Sequence, residues 1–199
     1  MLLALSALAE VQPVPLWAQR AGGGTNDEAR AVAVDPAGNV VVTGFFMDTA
    51  SFGTTNLVSA GLEDIFLAKY DAEGRLLWAR RAGGSGFDQG RGVATDASGN
   101  IFVTGLFQAA ASFDGTVLSS SGLSDVFLAK YSPAGALLWV RAAGGNDYDE
   151  GRAVAVDAAG NAYITGFFDA TASFGAQSLV NRSSSDDVFV AKCSGAGTF

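Results

Sequence analysis

The sequence predicts an all-β protein built from three successive units of one design. The first observation is an exact repeat. Trp17, Trp78 and Trp139 are 61 residues apart, as are Arg30, Arg91 and Arg152, Asp35, Asp96 and Asp157, and Phe52, Phe113 and Phe174. The second is patterning: each unit holds four short runs of alternating or continuous apolar residues, rich in Val, Ile and Phe. The third is turn chemistry, with 26 glycines set largely at fixed places between those runs and only 4 prolines. Four antiparallel strands per unit in a glycine-rich chain read as β-propeller blades. The units run at about 17–77, 78–138 and 139–199, together one repeat segment over 16–199.

Taken in order, residues 1–15 form an N-terminal tail or a truncated signal peptide. The stretch Met1–Glu10 is apolar, and Ala7-Leu8-Ala9 resembles a signal-peptidase site. Leu16–Arg20 is a lone strand equivalent to the last strand of a unit. Strand A follows at 29–35, with Val32 and Val34 alternating against small alanines. Strand B, 39–46, is a β-branched and aromatic run suited to burial on both faces. Between them, Asp35-Pro36-Ala37-Gly38 fits a type I turn, because Asp accepts turn amides, Pro presets φ and Gly suits the exit. Residues 47–63 connect B to C as a folded-back loop or minor hairpin, pinned by Phe52 and Leu57. Strand C spans 64–71, and Asp71–Gly74 turns it into strand D at 75–83. The same elements recur at 90–96, 100–107, 125–131 and 136–142, then at 151–157, 161–168 and 187–193. Strand A is expected innermost and strand D outermost.

Closed propellers have about 4–8 blades, so three units are expected to form an open arc or partial propeller. Its terminal faces would carry Val32, Val42 and Leu67, and self-assembly could complete a ring.

Composition removes several chemistries. The chain has 12 Lys and Arg against 20 Asp and Glu, a net charge of −8, which opposes nucleic-acid binding. No apolar run reaches the length of a membrane span. There is no histidine and one cysteine, Cys193, so Ser-His-Asp and Cys-His catalysis and His- or Cys-ligated zinc are excluded. Cys193 replaces Tyr70 and Tyr131 of the earlier units and reads as a packing substitution.

The loops from D to the next A draw most attention. Each holds a glycine pair, then an acid at Asp27, Asp88 or Asp149, then Arg30, Arg91 or Arg152. The plain reading is an Asp–Arg ion pair tying blade to blade. The alternatives are a binding rim at one mouth of the channel, or a Ca²⁺ site built from carboxylates and turn carbonyls. No cofactor and no metal is otherwise expected. Phe87 and Tyr148 occupy one loop position and would pack on the next loop or stack on a sugar. Asp64, Asp125 and Asp187 open strand C. Paired carboxylates can hydrolyse glycosides, but a residue repeated in every unit is a poor catalyst, because one active site needs unlike partners. These acids are expected to cap strand C amides or pair across blades, and no catalytic residue is assigned.

The run "RAVAVDPAGNVVVTGFF…SF…DIFLAKYDAEGRLLWARRAGG" closely resembles the bacterial β-propeller repeat family abbreviated SBBP, and all three units match its pattern. The resemblance implies a propeller in a secreted or surface-attached bacterial protein, and brings no catalytic residues with it. Gly74 to Trp78 and Gly135 to Trp139 also share the spacing of the tryptophan-docking repeats of quinoprotein dehydrogenases. That likeness implies that Trp17, Trp78 and Trp139 staple neighbouring blades.

The expected function is a non-enzymatic extracellular or cell-surface interaction module that binds a protein or glycan through loops at one propeller face. The alternatives are a propeller enzyme, either a carboxylate-based glycan hydrolase or lyase or a quinone-dependent dehydrogenase, and a purely structural spacer.

Overall fold

The computed structural model describes residues 16–182 and 185–199. The tail or signal peptide expected over 1–15 lies outside the described residues. What is described is all β: two antiparallel blades of four strands and a third of three, arranged as an open arc.

The first strand among the described residues is the two-residue β1 (Ala21–Gly22); Leu16–Arg20, expected as a lone strand, forms none and instead carries Trp17 onto the Gly74 turn. Blade 1 follows as β2 (Asp27–Val34), β3 (Val40–Phe52), β4 (Thr55–Tyr70) and β5 (Leu76–Gly84). Blade 2 is β6 (Gln89–Thr95), β7 (Ile101–Phe107), β10 (Asp125–Tyr131) and β11 (Leu137–Gly145), with the small hairpin β8 (Ala110–Phe113) and β9 (Thr116–Ser119) between β7 and β10. Blade 3 repeats this with β12 (Asp149–Val156), β13 (Ala162–Phe168), hairpin β14 (Thr171–Phe174) and β15 (Gln177–Val180), and β16 (Asp187–Cys193). In blade 1 the small hairpin is continuous with β3 and β4, pairing Phe52 with Thr55.

The turns follow from their residues. Asp35 Oδ1 accepts the amides of Ala37 and Asn39, both at 2.9 Å, and Gly38 closes the turn with φ +84°. That left-handed conformation is cheap only for glycine. The same φ recurs at Gly74, Gly135 and Gly197 in the C–D turns, at +79°, +79° and +83°.

Strand A is innermost: β2 packs on β6, and β6 on β12. Two apolar cores lie between blades, and a third lies on blade 1 itself, where Phe46, Phe66 and Tyr70 pack with half-buried Val42, a residue expected to be exposed. Leu67, Ile65 and Val41 of blade 1 pack with Phe107, Val103 and Phe127 of blade 2, while Leu128, Val126 and Phe102 of blade 2 pack with Ile164, Phe168 and Phe189 of blade 3. Leu67, expected on an exposed terminal face, is therefore buried against blade 2, whereas Val32 is 66% exposed. The uncovered faces carry Val32 and Val34 at one end and Val188 and Val190 at the other. Cys193 is fully buried among blade 2 and blade 3 side chains, as a packing role requires.

The small hairpin is a tie between blades. Its Phe52, Phe113 and Phe174 rings lie 4.9, 5.1 and 4.7 Å from Phe66, Phe127 and Phe189 of their own strand C. Its backbone pairs with the strand D that precedes it: Ala82 with Phe113, Gly83 with Ser112 and Gly84 with Ala111, and likewise Gly144 with Ser173. β1 does the same with blade 1, pairing Ala21 with Phe52. Each hairpin thus holds its own blade by an aromatic pair and the previous blade by main-chain hydrogen bonds.

Candidate functional site

The inner wall of the arc is shaped by three β-bulges. The pairing of β2 with β3 skips from Ala29 to Ala31, that of β6 with β7 from Gly90 to Gly92, and that of β12 with β13 from Gly151 to Ala153. The skipped residue is Arg30, Arg91 or Arg152. A bulge leaves one residue out of the ladder and re-aims its side chain. Close packing explains the glycines beside it. A Cβ on Gly90 would collide with Thr43 Oγ1 of the preceding blade, and one on Gly151 with Thr104 Oγ1. Those hydroxyls are fixed, donating to the Phe66 and Phe127 carbonyls at 2.8 Å.

The bulges bring the three arginines together. Arg30, Arg91, Glu150 and Arg152 line one cavity of about 290 Å³. Glu150 Oε1 lies 3.4 Å from Arg91 Nε and 3.2 Å from Arg152 Nε, and Arg30 pairs with Glu28 at 2.9 Å. Arg30 lies 5.4 Å from the centre of the Phe45 ring and Arg152 4.9 Å from that of Phe167. Burial pulls the Arg91 guanidinium below its ordinary pKa; Glu150 opposes this, while Arg30 and Arg152 add to it. Arg91 Nε is buried without a hydrogen-bond acceptor. Three guanidinium groups therefore share two carboxylates on the inner wall of an acidic chain.

The expected Asp–Arg pairs are not formed. Asp27, Asp88 and Asp149 turn away from the arginines and into the D–A loops. Asp27 Oδ2 accepts the Gly23 amide at 2.6 Å, Asp88 Oδ2 the Gly84 amide at 2.7 Å, and Asp149 Oδ2 the Gly145 amide at 2.6 Å. The bulge is the physical reason, since it takes each arginine out of the ladder while the Asp oxygens stay bound to loop amides. Asp88 and Asp149 are fully buried. Asp88 meets Asp64, and Asp149 meets Asp125, across the first glycine of each pair. A Cβ on Gly83 would stand 2.9 Å from Asp64 Oδ1 and 3.0 Å from Asp88 Oδ2. Burial pushes Asp88 up to about 6 and Asp149 to about 7, and the facing carboxylates, Asp64 and Asp125, push the same way. Asp64 also caps the Ala60 amide at 3.0 Å and pairs with Arg81 at 2.8 Å. Asp125 caps the Ser121 amide at 3.0 Å. Among the described residues no three Cys, His, Asp or Glu side chains gather as a metal cluster.

Phe87 and Tyr148 remain 39% and 48% exposed, so the next loop does not bury them. Each bridges in parallel to the start of strand C, Phe87 to Glu63 and Tyr148 to Ser124. The residues just before those partners, Leu62 and Leu123, are also exposed. An apolar and aromatic rim thus repeats at each joint. Sequence reading missed Leu62 and Leu123, whose signal was a leucine recurring after Gly61 and Gly122 in a polar loop.

The tryptophans sit at the outer edge. Trp78 covers Gly135 of the next blade, where a Cβ would stand 3.0 Å from ring atoms Cδ2 and Cε2. Its Nε1 donates to the Pro133 carbonyl at 3.3 Å. Trp17 covers Gly74 and donates to Ala72 O at 3.0 Å, and Trp139 covers Gly197 and donates to Gly195 O at 3.2 Å. Lys69 runs beside Trp78 from strand C, pairing with buried Asp35 at 2.8 Å and donating to Pro133 O at 3.1 Å.

Two comparisons bear on the chain. The sequence pattern of a family described as "Beta-propeller repeat", SBBP, matches residues 77–106 and 138–166. The chain is also 28% identical, over 83% of its length, to an uncharacterized WD repeat-containing protein of Acanthamoeba polyphaga mimivirus. It spans 15% of the length of that relative.

Proposed function

We propose that this chain of SBBP-type β-propeller repeats is a non-enzymatic interaction module whose inner wall binds an acidic segment of a protein partner. The carrying observation is the convergence of Arg30, Arg91 and Arg152, each aimed by a bulge, on one cavity with too few carboxylates to match them. Guanidinium groups recognise carboxylates through paired hydrogen bonds, and Arg152, the most exposed of the three, presents its side chain to solvent. The exposed Leu62, Phe87, Leu123 and Tyr148 favour a protein over a sugar, since they supply the apolar and aromatic contacts on which protein interfaces depend.

The non-enzymatic reading draws on burial. Asp64, Asp88, Asp125 and Asp149 lie under glycine loops at no more than 3% exposure, out of reach of a polysaccharide. An extracellular or cell-surface location is part of the proposal and rests on the SBBP resemblance and the apolar Met1–Glu10 stretch. Fractionating cells that express the chain checks it. The exposed Val32, Val34, Val188 and Val190 mark the two outer faces as surfaces for further blades, whether from more chain or from a second copy. Sedimentation distinguishes an isolated arc from an assembly.

The test compares wild type with the Arg30→Gln, Arg91→Gln, Arg152→Gln triple variant on arrays of acidic peptides and of uronate oligosaccharides. The expected result is salt-sensitive peptide binding that falls at least about tenfold in the variant, as loss of more than one charged contact should produce. Equal binding by both proteins, preference for the oligosaccharides, or no binding to either array overturns the proposal.

A further inference from the structure

The two complete joints between blades differ in one charge. In the joint between blades 1 and 2, the Asp64–Asp88 pair has a counter-ion, because Arg81 Nη1 lies 2.8 Å from Asp64 Oδ2. Both oxygens of Asp88 are also occupied, by the amides of Gly84 at 2.7 Å and Gln108 at 3.0 Å. In the joint between blades 2 and 3, the residue 61 positions after Arg81 is Ala142. Among the described residues no guanidinium pairs with Asp125 or Asp149.

That pair is otherwise built the same way. Asp125 Oδ1 and Asp149 Oδ2 each lie 2.8 Å from the point where a Gly144 Cβ would stand, so they face one another within twice that distance. Asp125 is 3% exposed and Asp149 fully buried. Oδ1 of each has no hydrogen-bond partner; Asp64 Oδ1 shares that state in the other joint, so what sets this joint apart is the missing guanidinium and the unpartnered oxygen of Asp149. The Asp169 amide lies beside Asp149 but gives its hydrogen bond to the Tyr148 carbonyl at 3.0 Å. Two buried carboxyl groups with unused oxygens and no basic neighbour are incomplete as they stand. Ala142 is exposed, which leaves an approach from solvent on the side that Arg81 closes in the other joint.

We propose that a hard divalent cation of the Ca²⁺ type binds between Asp125 and Asp149, in the place of the guanidinium that Arg81 supplies one joint earlier. Ca²⁺ takes oxygen ligands at about 2.3–2.6 Å and accepts carboxylates, carbonyls and water in irregular sets. Two carboxylates make a modest site, with an affinity of order 0.1–1 mM, in the range of extracellular modules. The ion would lock blade 3 to blade 2.

Isothermal calorimetry and thermal melting at pH 7.5 test this, with CaCl₂ against EDTA at matched ionic strength. The expected result is one saturable Ca²⁺ site and a melting temperature raised by about 5 °C at 10 mM Ca²⁺. Asp149→Asn and Asp125→Asn should each weaken binding at least tenfold, whereas Asp64→Asn should leave it unchanged. Ala142→Arg should restore the internal cation, raising the melting temperature in EDTA and abolishing the Ca²⁺ response. No heat of binding and identical melting in Ca²⁺ and EDTA overturn the proposal, because a proton then neutralises the pair. Equal loss of binding in Asp64→Asn also overturns it, by placing the ion elsewhere.

Discussion

Replacing Gly135 with alanine separates backbone strain from tryptophan docking. Gly135 sits at φ +79° with a Cβ position 3.0 Å from two Trp78 ring atoms and 3.2 Å from a third. Gly160 occupies the equivalent place of an A–B turn, at φ +78°, with nothing within 4 Å of its Cβ position. Both substitutions force an L-residue into the left-handed region, at about 1 kcal/mol each. Only Gly135→Ala also lifts the indole. That strains or breaks the hydrogen bond from Trp78 Nε1 to the Pro133 carbonyl, worth about 1 kcal/mol. It also costs about 1 kcal/mol of van der Waals contact beneath the ring. Gly135→Ala should therefore destabilise by about 3 kcal/mol and Gly160→Ala by about 1 kcal/mol. The difference corresponds to a melting temperature about 4–8 °C lower for Gly135→Ala. Urea melts followed by far-UV circular dichroism measure both. In a Trp78→Ala background the two glycine substitutions should cost the same. If they cost the same in the wild type, or if their difference survives removal of Trp78, the ring is not what the glycine accommodates.

Other outcomes follow from the charge pattern. Lys69→Met leaves Asp35 buried and unpaired, and should cost about 3 kcal/mol in urea unfolding; Lys130→Met should cost less than half of that, since its Asp96 contact is 3.6 Å long and more exposed. Asp88 has a folded pKa raised from 3.8 to about 6, so between those values the folded state holds more protons than the unfolded state. Stability from this group is therefore greatest below pH 4 and falls by about 3 kcal/mol as pH rises through 6. Asp149, raised from 3.8 to about 7, adds a slope of the same sign, so calorimetric melts from pH 4 to 7 in calcium-free buffer should show both, and Asp88→Asn should lower the total by the Asp88 share while leaving that of Asp149. Asp35 runs the opposite way. Burial alone would raise its pKa, but Asn39 and Lys69 outweigh burial and hold it at about 2, so its contribution is lost only as pH falls from 3.8 toward 2. Cys193 is buried and its thiol is pushed up to about 11 by burial, so the native protein at pH 8 should react with a thiol reagent at least tenfold slower than the urea-unfolded chain.

The blades were legible because period, turn and patterning agreed at every unit. Asp35, Pro36 and Gly38 could hardly do anything but turn the chain between two apolar runs. The small hairpin was half legible: Phe52 and Leu57 announced that it folds back, but nothing local says which strand its outer edge meets. That pairing, Ala82 with Phe113, joins residues of different units and follows from how far one blade rotates against the next. The arginine bulges were illegible for a related reason. A strand A read as a clean alternation puts Arg91 in register, whereas the ladder skips from Gly90 to Gly92, as it does from Ala29 to Ala31, and no apolar or turn signal marks that step. The Asp–Arg ion pair failed on that one-residue slip. The small residues on both sides of each arginine were the available hint.

Main-chain pairing between a strand D and the following hairpin carries little sequence information. It asks of each side only a backbone in the right pose, a glycine pair on one partner and a short Ala-Ser-Phe on the other. Any unit can therefore follow any other. A whole repeat inserted or deleted in the gene would meet ready-made partners at both seams, with no new interface to invent. Length in such an array is free to drift by recombination, because the main-chain seam asks so little of the residues on either side.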